Sequence, residues 1–331
     1  MQRNIDMWLD ILYILIGFVL LVKGGDFLID GAVAIAQRAK LSAMVIGITV
    51  VGFGTSMPEL LVSTQAAWVG SSGLAIGNVA GSNIANIALI LGVTAMICPL
   101  PSQRTMMRID IPFMLFAMVL FIVMAMTDDT IHRWQGITMV LLLVAFIIWE
   151  VQRSRKKTKR AEAQGEAEVV EKPSMPLWRA ILYVLVSLAA MVWGADLLIG
   201  GSSAIAMELG NYFGVAKEEM ERIIGLTVVS VGTSLPELFA SVMAARKGET
   251  DMAVGNIIGS VSFNILSVVG VAASITPIHD AWKPFAIDYA VMLGLGLVLW
   301  LFLQTHHKIV RYEGAILLTI YCLYIARTLM V

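Results

Sequence analysis

The chain has 331 residues, of which 58% are hydrophobic and 14% charged, with a formal net charge of −1. Its mean hydropathy is +0.83, whereas a soluble domain carries about 25% charged residues. These values exclude an ordinary soluble fold, and no nucleic-acid partner is expected.

Apolar runs long enough to cross a hydrocarbon core of about 30 Å at 1.5 Å per residue recur along the whole chain. About ten spans are expected, at roughly 8–36, 41–69, 73–98, 109–127, 133–151, 177–206, 222–246, 252–275, 284–303 and 311–330. Their continuous apolarity argues against a β-barrel, whose strands alternate. The first run, from Ile11 to Val22, lacks a strong basic flank and continues through Gly24, Gly25 and Asp26, so it reads as a span rather than a signal peptide.

Between the fifth and sixth spans lies a polar stretch from Arg153 to Lys172. It carries Arg153, Arg155, Lys156, Lys157, Lys159 and Arg160, then Glu162, Glu166, Glu168 and Glu171. It reads as a solvated, flexible linker, 153–176, joining a first membrane repeat, 1–152, to a second, 177–331. Short basic loops stay in the cytoplasm. With the linker there, Arg38, Lys40, Arg104, Arg108, Arg246, Lys247, Lys308 and Arg311 also fall inside, while Asp128, Asp129, Glu218 and Glu219 fall outside. The expected location is the inner (plasma) membrane, multi-pass, with both termini extracytoplasmic. Cys98 and Cys322 have no metal-ligand spacing and imply neither a disulfide nor zinc.

The chain repeats itself. Gly54-Thr55-Ser56-Met57-Pro58-Glu59-Leu60 returns as Gly232-Thr233-Ser234-Leu235-Pro236-Glu237-Leu238, and Gly77-Asn78-Val79-Ala80-Gly81-Ser82 returns as Gly255-Asn256-Ile257-Ile258-Gly259-Ser260. Both pairs share one offset: 237 − 59 and 260 − 82 each give 178. Five spans separate the copies, an odd number, so the second enters the membrane from the opposite side. The expected fold is an all-α, polytopic membrane protein of about ten transmembrane helices in two inverted-topology five-helix repeats, an architecture many secondary transporters share.

Glu59 and Glu237 lie inside apolar spans, where a carboxylate costs several kcal/mol unless it is paired, hydrated or bound to a cation. Residues four apart share a helix face, so Thr55 is expected beside Glu59 and Thr233 beside Glu237, with Ser56 and Ser234 adjoining. Pro58 and Pro236 have no N–H, which leaves the carbonyls of Gly54 and Gly232 without their helical donors and free to face a cation. In the partner helices the same spacing groups Ser82 with Asn86 and Ser260 with Asn264, while Gly77, Gly81, Gly255 and Gly259 allow close helix approach. This all-oxygen set suits hard cations and disfavours zinc, copper and iron. Ca²⁺ accepts about 6 to 8 oxygens in flexible geometry, and two glutamates neutralise one Ca²⁺ or two Na⁺.

Paired GTSxPE and GNxxGS segments in inverted halves resemble the α-repeats of the sodium/calcium exchangers, within the cation/Ca²⁺ exchanger superfamily, over nearly the whole chain. The resemblance implies that Glu59 and Glu237 are the principal cation ligands, with oxygens from Thr55, Ser56, Thr233, Ser234, Ser82 and Ser260, and with Asn86 and Asn264 at the remaining polar positions. It implies transported Ca²⁺ and Na⁺, no resident cofactor, and movement of the glycine-rich first and sixth spans. Some relatives carry an aspartate where this chain has Asn264, which argues against K⁺ dependence. The second half also departs at Ser260-Val261-Ser262, where the first reads Ser82-Asn83-Ile84.

Antiport of Na⁺ and Ca²⁺ by alternating access is the reading these features favour. A H⁺/Ca²⁺ antiporter stays open, because burial makes protons compete for the same oxygens. A passive Ca²⁺ channel explains the inverted copies less well, and a hydrolase using Ser56 or Ser234 lacks a nearby base. Asp26 and Asp196 lie near span ends and read as structural, Asp26 as a partner of Lys23. His132, His279, His306 and His307 read as surface residues near loops.

Overall fold

The computed structural model describes residues 2–101, 103–164, 175–213 and 230–330. The expected spans appear as helices in the expected order. Seven are single apolar helices: Trp8–Ala39, Ser72–Ile97, Met106–Asp128, Arg133–Lys159, Leu177–Gly210, Thr250–Ile275 and Lys283–Thr305. The second span is a broken pair, Ala43–Thr55 and Met57–Trp68, bent by 47°. The seventh is described from Ser230, as Ser230–Gly232 and Leu235–Arg246, and its expected start at 222–229 lies outside the described residues. Arg311–Met330 forms the tenth.

The third and eighth spans are the most enclosed of the single helices, whereas the first, fifth and sixth are largely peripheral. That order follows from composition. The eighth presents Gly255, Asn256, Gly259, Ser260 and Asn264, all small or polar, to its neighbours. Leu61, Phe116, Leu141, Leu185 and Leu301 are each more than half exposed, as side chains facing lipid tails are.

Two short antiparallel pairs clip the ends of the bundle. Strand β1 (Leu100–Pro101) pairs with β4 (Lys308–Ile309), and β2 (Thr130–Ile131) pairs with β3 (Ile278–His279). The first pair joins the loops after spans three and nine, and the second those after spans four and eight. Each pair therefore joins loops that alternate threading puts on one side of a membrane. On the β1–β4 side, called here the linker side, Arg38 donates to the Met175 carbonyl at 2.9 Å and the Ser42 N–H to Ser154 Oγ at 3.1 Å.

Two sequence expectations are corrected. The fifth helix does not end near 152 but runs on to Gln164, because Arg153–Gln164 is rich in Lys, Arg, Ala and Glu, all strong helix formers. The stretch 165–174 lies outside the described residues. Asp26 does not pair with Lys23: its carbonyl accepts from Lys247 Nζ at 2.7 Å, and that ammonium also meets Asp30 Oδ1 at 2.7 Å and the Asp26 carboxylate at 3.7 Å. A partner 221 residues away is set by packing of the first span on the seventh.

Candidate cation site

Both copies of the motif break their helix at the residue after the threonine. Ser56 has φ −83° and ψ 7°, and Ser234 has φ −91° and ψ 4°, outside the helical well. Proline two residues on, at Pro58 and Pro236, suits the first turn of the helix that follows, where an N–H is not needed. The restarted helices each place a glutamate in their first turn, where a carboxylate is favoured by the helix dipole. Glu59 and Glu237 are both 0% exposed.

The break overturns the expected pairing within each motif. Thr55 does not stack beside Glu59, because the four-residue rule requires a continuous helix and fails across Ser56. Instead each motif meets the other half. Ser56 Oγ donates to Glu237 Oε1 at 3.2 Å. Thr55 Oγ1 lies 3.3 Å from Asn256 Oδ1 and 3.4 Å from Ser260 Oγ. The Thr233 and Ser234 hydroxyls lie close to the Glu59 carboxylate without a hydrogen-bond partner of their own. Ser82 Oγ reaches Glu59 Oε1 at 3.5 Å, so each carboxylate has a hydroxyl neighbour from a different helix. Glu59 and Glu237 are near enough to feel each other's charge.

Asn86 is the second residue and Asn264 the first of matching π-helical segments, Ala85–Ile90 and Asn264–Val269. Both are 0% exposed, and neither amide has a hydrogen-bond partner. Single π turns are frequent at functional sites because they displace a side chain from the α-helical register. Glu59 Oε2, Glu237 Oε2, Thr233 Oγ1 and Ser234 Oγ are likewise buried and unpartnered. Buried polar atoms are normally satisfied, so oxygens left this way together fit a site that a hard cation completes.

Two symmetric supports were not foreseen as such. Asn78 Nδ2 donates to the Glu59 carbonyl at 3.4 Å and to Ser63 Oγ at 2.9 Å, and Asn256 Nδ2 donates to the Glu237 carbonyl at 3.3 Å and to Ser241 Oγ at 2.9 Å. The offset of 178 relates Ser63 to Ser241 as it relates the glutamates, a signal present in the sequence. These amides hold the glutamate backbones rather than the cation side of the site.

Glycine fixes the spacing on one side. A Cβ on Gly47 would lie 2.5 Å from the Met252 carbonyl oxygen, on Gly255 2.6 Å from that of Met44, and on Gly259 2.5 Å from that of Ile48. The second and eighth spans thus touch backbone to backbone, as expected of Gly255 and Gly259. Gly77 differs: among the described residues its Cβ would meet only the Phe285 ring, at 3.5 Å. Against the two breaks, the sixth span sets Leu188 on Gly54 and Ile199 on Gly232, each leaving no room for a Cβ.

A sequence model described as sodium/calcium exchanger protein matches residues 9–152 and 179–330, one segment in each half. The candidate antiporter CaxA of Alkalimonas amylolytica is 37% identical over 93% of this chain and 94% of its own. The sodium/calcium exchanger MaX1 of Methanosarcina acetivorans is 32% identical over 94% of this chain and 95% of its own. Among solved structures, the sodium-calcium exchanger NCX_Mj soaked with Na⁺ and Ca²⁺ superposes with a TM-score of 0.79 at 30% identity, over 96% of this chain and 98% of that one. Inverted motif copies, a shared carboxylate centre and matches that run through both halves converge on one conclusion: the chain belongs to the sodium/calcium exchanger family, whose members exchange cations for Ca²⁺ across membranes.

Proposed function

We propose that the protein is a secondary active antiporter that exchanges Na⁺ for Ca²⁺ by alternating access. Glu59 and Glu237 are its charged ligands, and Thr55, Ser56, Thr233, Ser234, Ser82, Ser260, Asn86, Asn264 and the carbonyls of Gly54 and Gly232 its neutral ones. The observation that carries this reading is the fully buried carboxylate pair, drawn from opposite halves and ringed by unpartnered oxygens. Two carboxylates balance one Ca²⁺ or two Na⁺, so the ions compete for one charge balance rather than for separate sites.

Coupling follows from burial. An empty site leaves two anionic groups near each other in a medium of low dielectric, which costs several kcal/mol. Conversion between the two facing states is therefore slow when empty and permitted when either ion neutralises the pair. Leu188 and Ile199, seated on Gly54 and Gly232, are the apolar side chains that must withdraw for an ion to reach the breaks, which makes the sixth span a moving cover. The first span moves with it, since Gly17 and Gly194 bring the two backbones into direct contact. The linker side faces the cytoplasm and both ends of the chain the far side, in the inner membrane.

The test is uptake of radiolabelled Ca²⁺ into proteoliposomes with an imposed outward Na⁺ gradient. Gradient-driven uptake in the wild type, lost in Glu59→Gln and in Glu237→Gln, is the expected result. Uptake indifferent to Na⁺ and driven by an outward proton gradient would replace Na⁺ by H⁺ as the coupling ion. Uncoupled, voltage-driven Ca²⁺ current would refute antiport itself.

A further inference from the structure

On the linker side, away from the cation site, a second group of ionisable side chains is buried between the fourth and fifth spans. Asp110 opens the fourth span and is 1% exposed, and Glu150 near the end of the fifth is also 1% exposed. Arg153, one turn beyond Glu150, reaches both acids: its Nη2 donates to Glu150 Oε1 and lies 3.7 Å from Asp110 Oδ1. The guanidinium also lies over the Trp149 ring, 5.0 Å from its centroid. Neither oxygen of Asp110 has a hydrogen-bond partner, and Glu150 Oε2 and Arg153 Nη1 have none either.

Charge counting shows that this cluster is incomplete. Two carboxylates against one guanidinium leave a net charge of −1 where a lone buried charge costs several kcal/mol. Among the described residues, Glu150 and Arg153 are the charged side chains that act on Asp110. The eighth and ninth spans also pack on the fourth. Their acids nearest the membrane ends, Asp251 and Asp288, are engaged by Gln103 and Tyr324 and do not act on Asp110, on which Glu150 and Arg153 act. Arg108, two residues before Asp110, is exposed.

We propose that Asp110, Glu150 and Arg153 form a proton-binding site, separate from the cation site, in which Asp110 carries the proton. A metal ion at the unpartnered Asp110 oxygens would face the guanidinium across a few ångströms, whereas a proton adds directly to a carboxylate oxygen and is not excluded by it. The proton comes from water and takes the cluster from −1 to neutral. Glu150, which accepts the guanidinium's hydrogen bond, stays the anion, and Asp110, outside hydrogen-bond reach of Arg153, is the acid. Protonated Asp110 gains an O–H donor, which the unpartnered Glu150 Oε2 is free to accept across the span four to span five joint.

Infrared spectroscopy of the full-length protein in lipid bilayers reads this directly. Glu59→Gln and Glu237→Gln silence the cation-site carboxyls. In that background the carbonyl stretch of a protonated, buried carboxyl should be present at neutral pH. Asp110→Asn leaves Glu150 and Arg153 balanced, and Glu150→Gln leaves Asp110 and Arg153 balanced, so either removes the band. Arg153→Leu leaves two acids without a countercharge and should raise it about twofold. A band untouched by all three variants would overturn the proposal. So would loss of the band from the background protein on adding Na⁺ or K⁺ at fixed pH, since the occupant would then be a metal ion. Thermal melting gives an independent readout: melting temperature should fall as pH rises through the site's titration in the background protein and not in Asp110→Asn.

Discussion

Replacing Gly259 with alanine should abolish most Ca²⁺ transport although Gly259 offers no ligand atom. The added Cβ would sit 2.5 Å from the Ile48 carbonyl oxygen and 2.7 Å from Ile48 Cα. Ordinary contact begins near 3.4 Å, so the two helices must part by about 0.9 Å, and since both atoms are backbone no side chain can rotate away. Overpacking of this kind costs about 1–3 kcal/mol of stability. The larger effect is at the site. If the second span moves as one piece, Ser56 Oγ goes from 3.2 Å to about 4 Å from Glu237, out of hydrogen-bond range. Thr55 withdraws from Asn256 and Ser260 by the same shift. A hydrogen bond to a carboxylate contributes roughly 1.5–3 kcal/mol, so apparent Ca²⁺ affinity should fall at least tenfold. Gly294→Ala is the control, because among the described residues nothing lies within 4 Å of its added Cβ. Uptake in proteoliposomes gives KM, and melting in detergent gives stability. A Gly259→Ala protein with wild-type KM would show that backbone contact between spans two and eight does not set the site, and the reasoning would fail.

Three other outcomes follow from the same geometry. Ser56→Ala removes the hydroxyl that reaches Glu237 from the opposite half and should raise the KM for Ca²⁺ about tenfold with little change in melting temperature; unchanged KM would mean that this contact is incidental. Asn78→Ala and Asn256→Ala each free a glutamate carbonyl and a serine. Each should cost about 1–2 kcal/mol, read as a lower melting temperature, with Asn256→Ala the costlier because its amide oxygen also accepts from Thr55. Asp129, in the loop after the fourth span, accepts from the Trp282 and Lys283 N–H groups at 2.6 and 3.2 Å. The Trp282 bond foremost, then that of Lys283 and its ammonium, holds the carboxyl below its ordinary value of 3.8. Its stabilisation is therefore complete above that value and lost as pH falls through the lower, folded one. Acid melting of Asp129→Asn should lack that component, and identical acid profiles for variant and wild type would remove Asp129 from the account.

The spans, the inverted repeat and an interruption beside Pro58 and Pro236 were legible because each is written locally: in apolar length, in a repeated string, in a residue without an N–H; the breaks themselves fall two residues earlier, at Ser56 and Ser234. Partners were legible only where the chain is continuous. The four-residue rule put Thr55 beside Glu59 and Lys23 beside Asp26, and both failed, the first because the helix stops at Ser56 and the second because packing offered Lys247. Glu150 and Arg153 are three apart on one helix, but nothing local joins Asp110 to them, since the fourth and fifth spans meet only in the folded bundle. Inverted symmetry itself held more than was read from it. An axis through the site carries Ser56 onto Ser234 and Glu237 onto Glu59, so a contact between the first pair requires, in an ideal copy, the same contact between the second. The molecule sets the Ser56 hydroxyl 3.2 Å from Glu237 Oε1 and holds the Ser234 hydroxyl beside Glu59 in a looser geometry. Under the proposed alternating access the site cannot treat its halves alike, and such contacts, equivalent by sequence and unequal in the fold, are where the two facing states would differ.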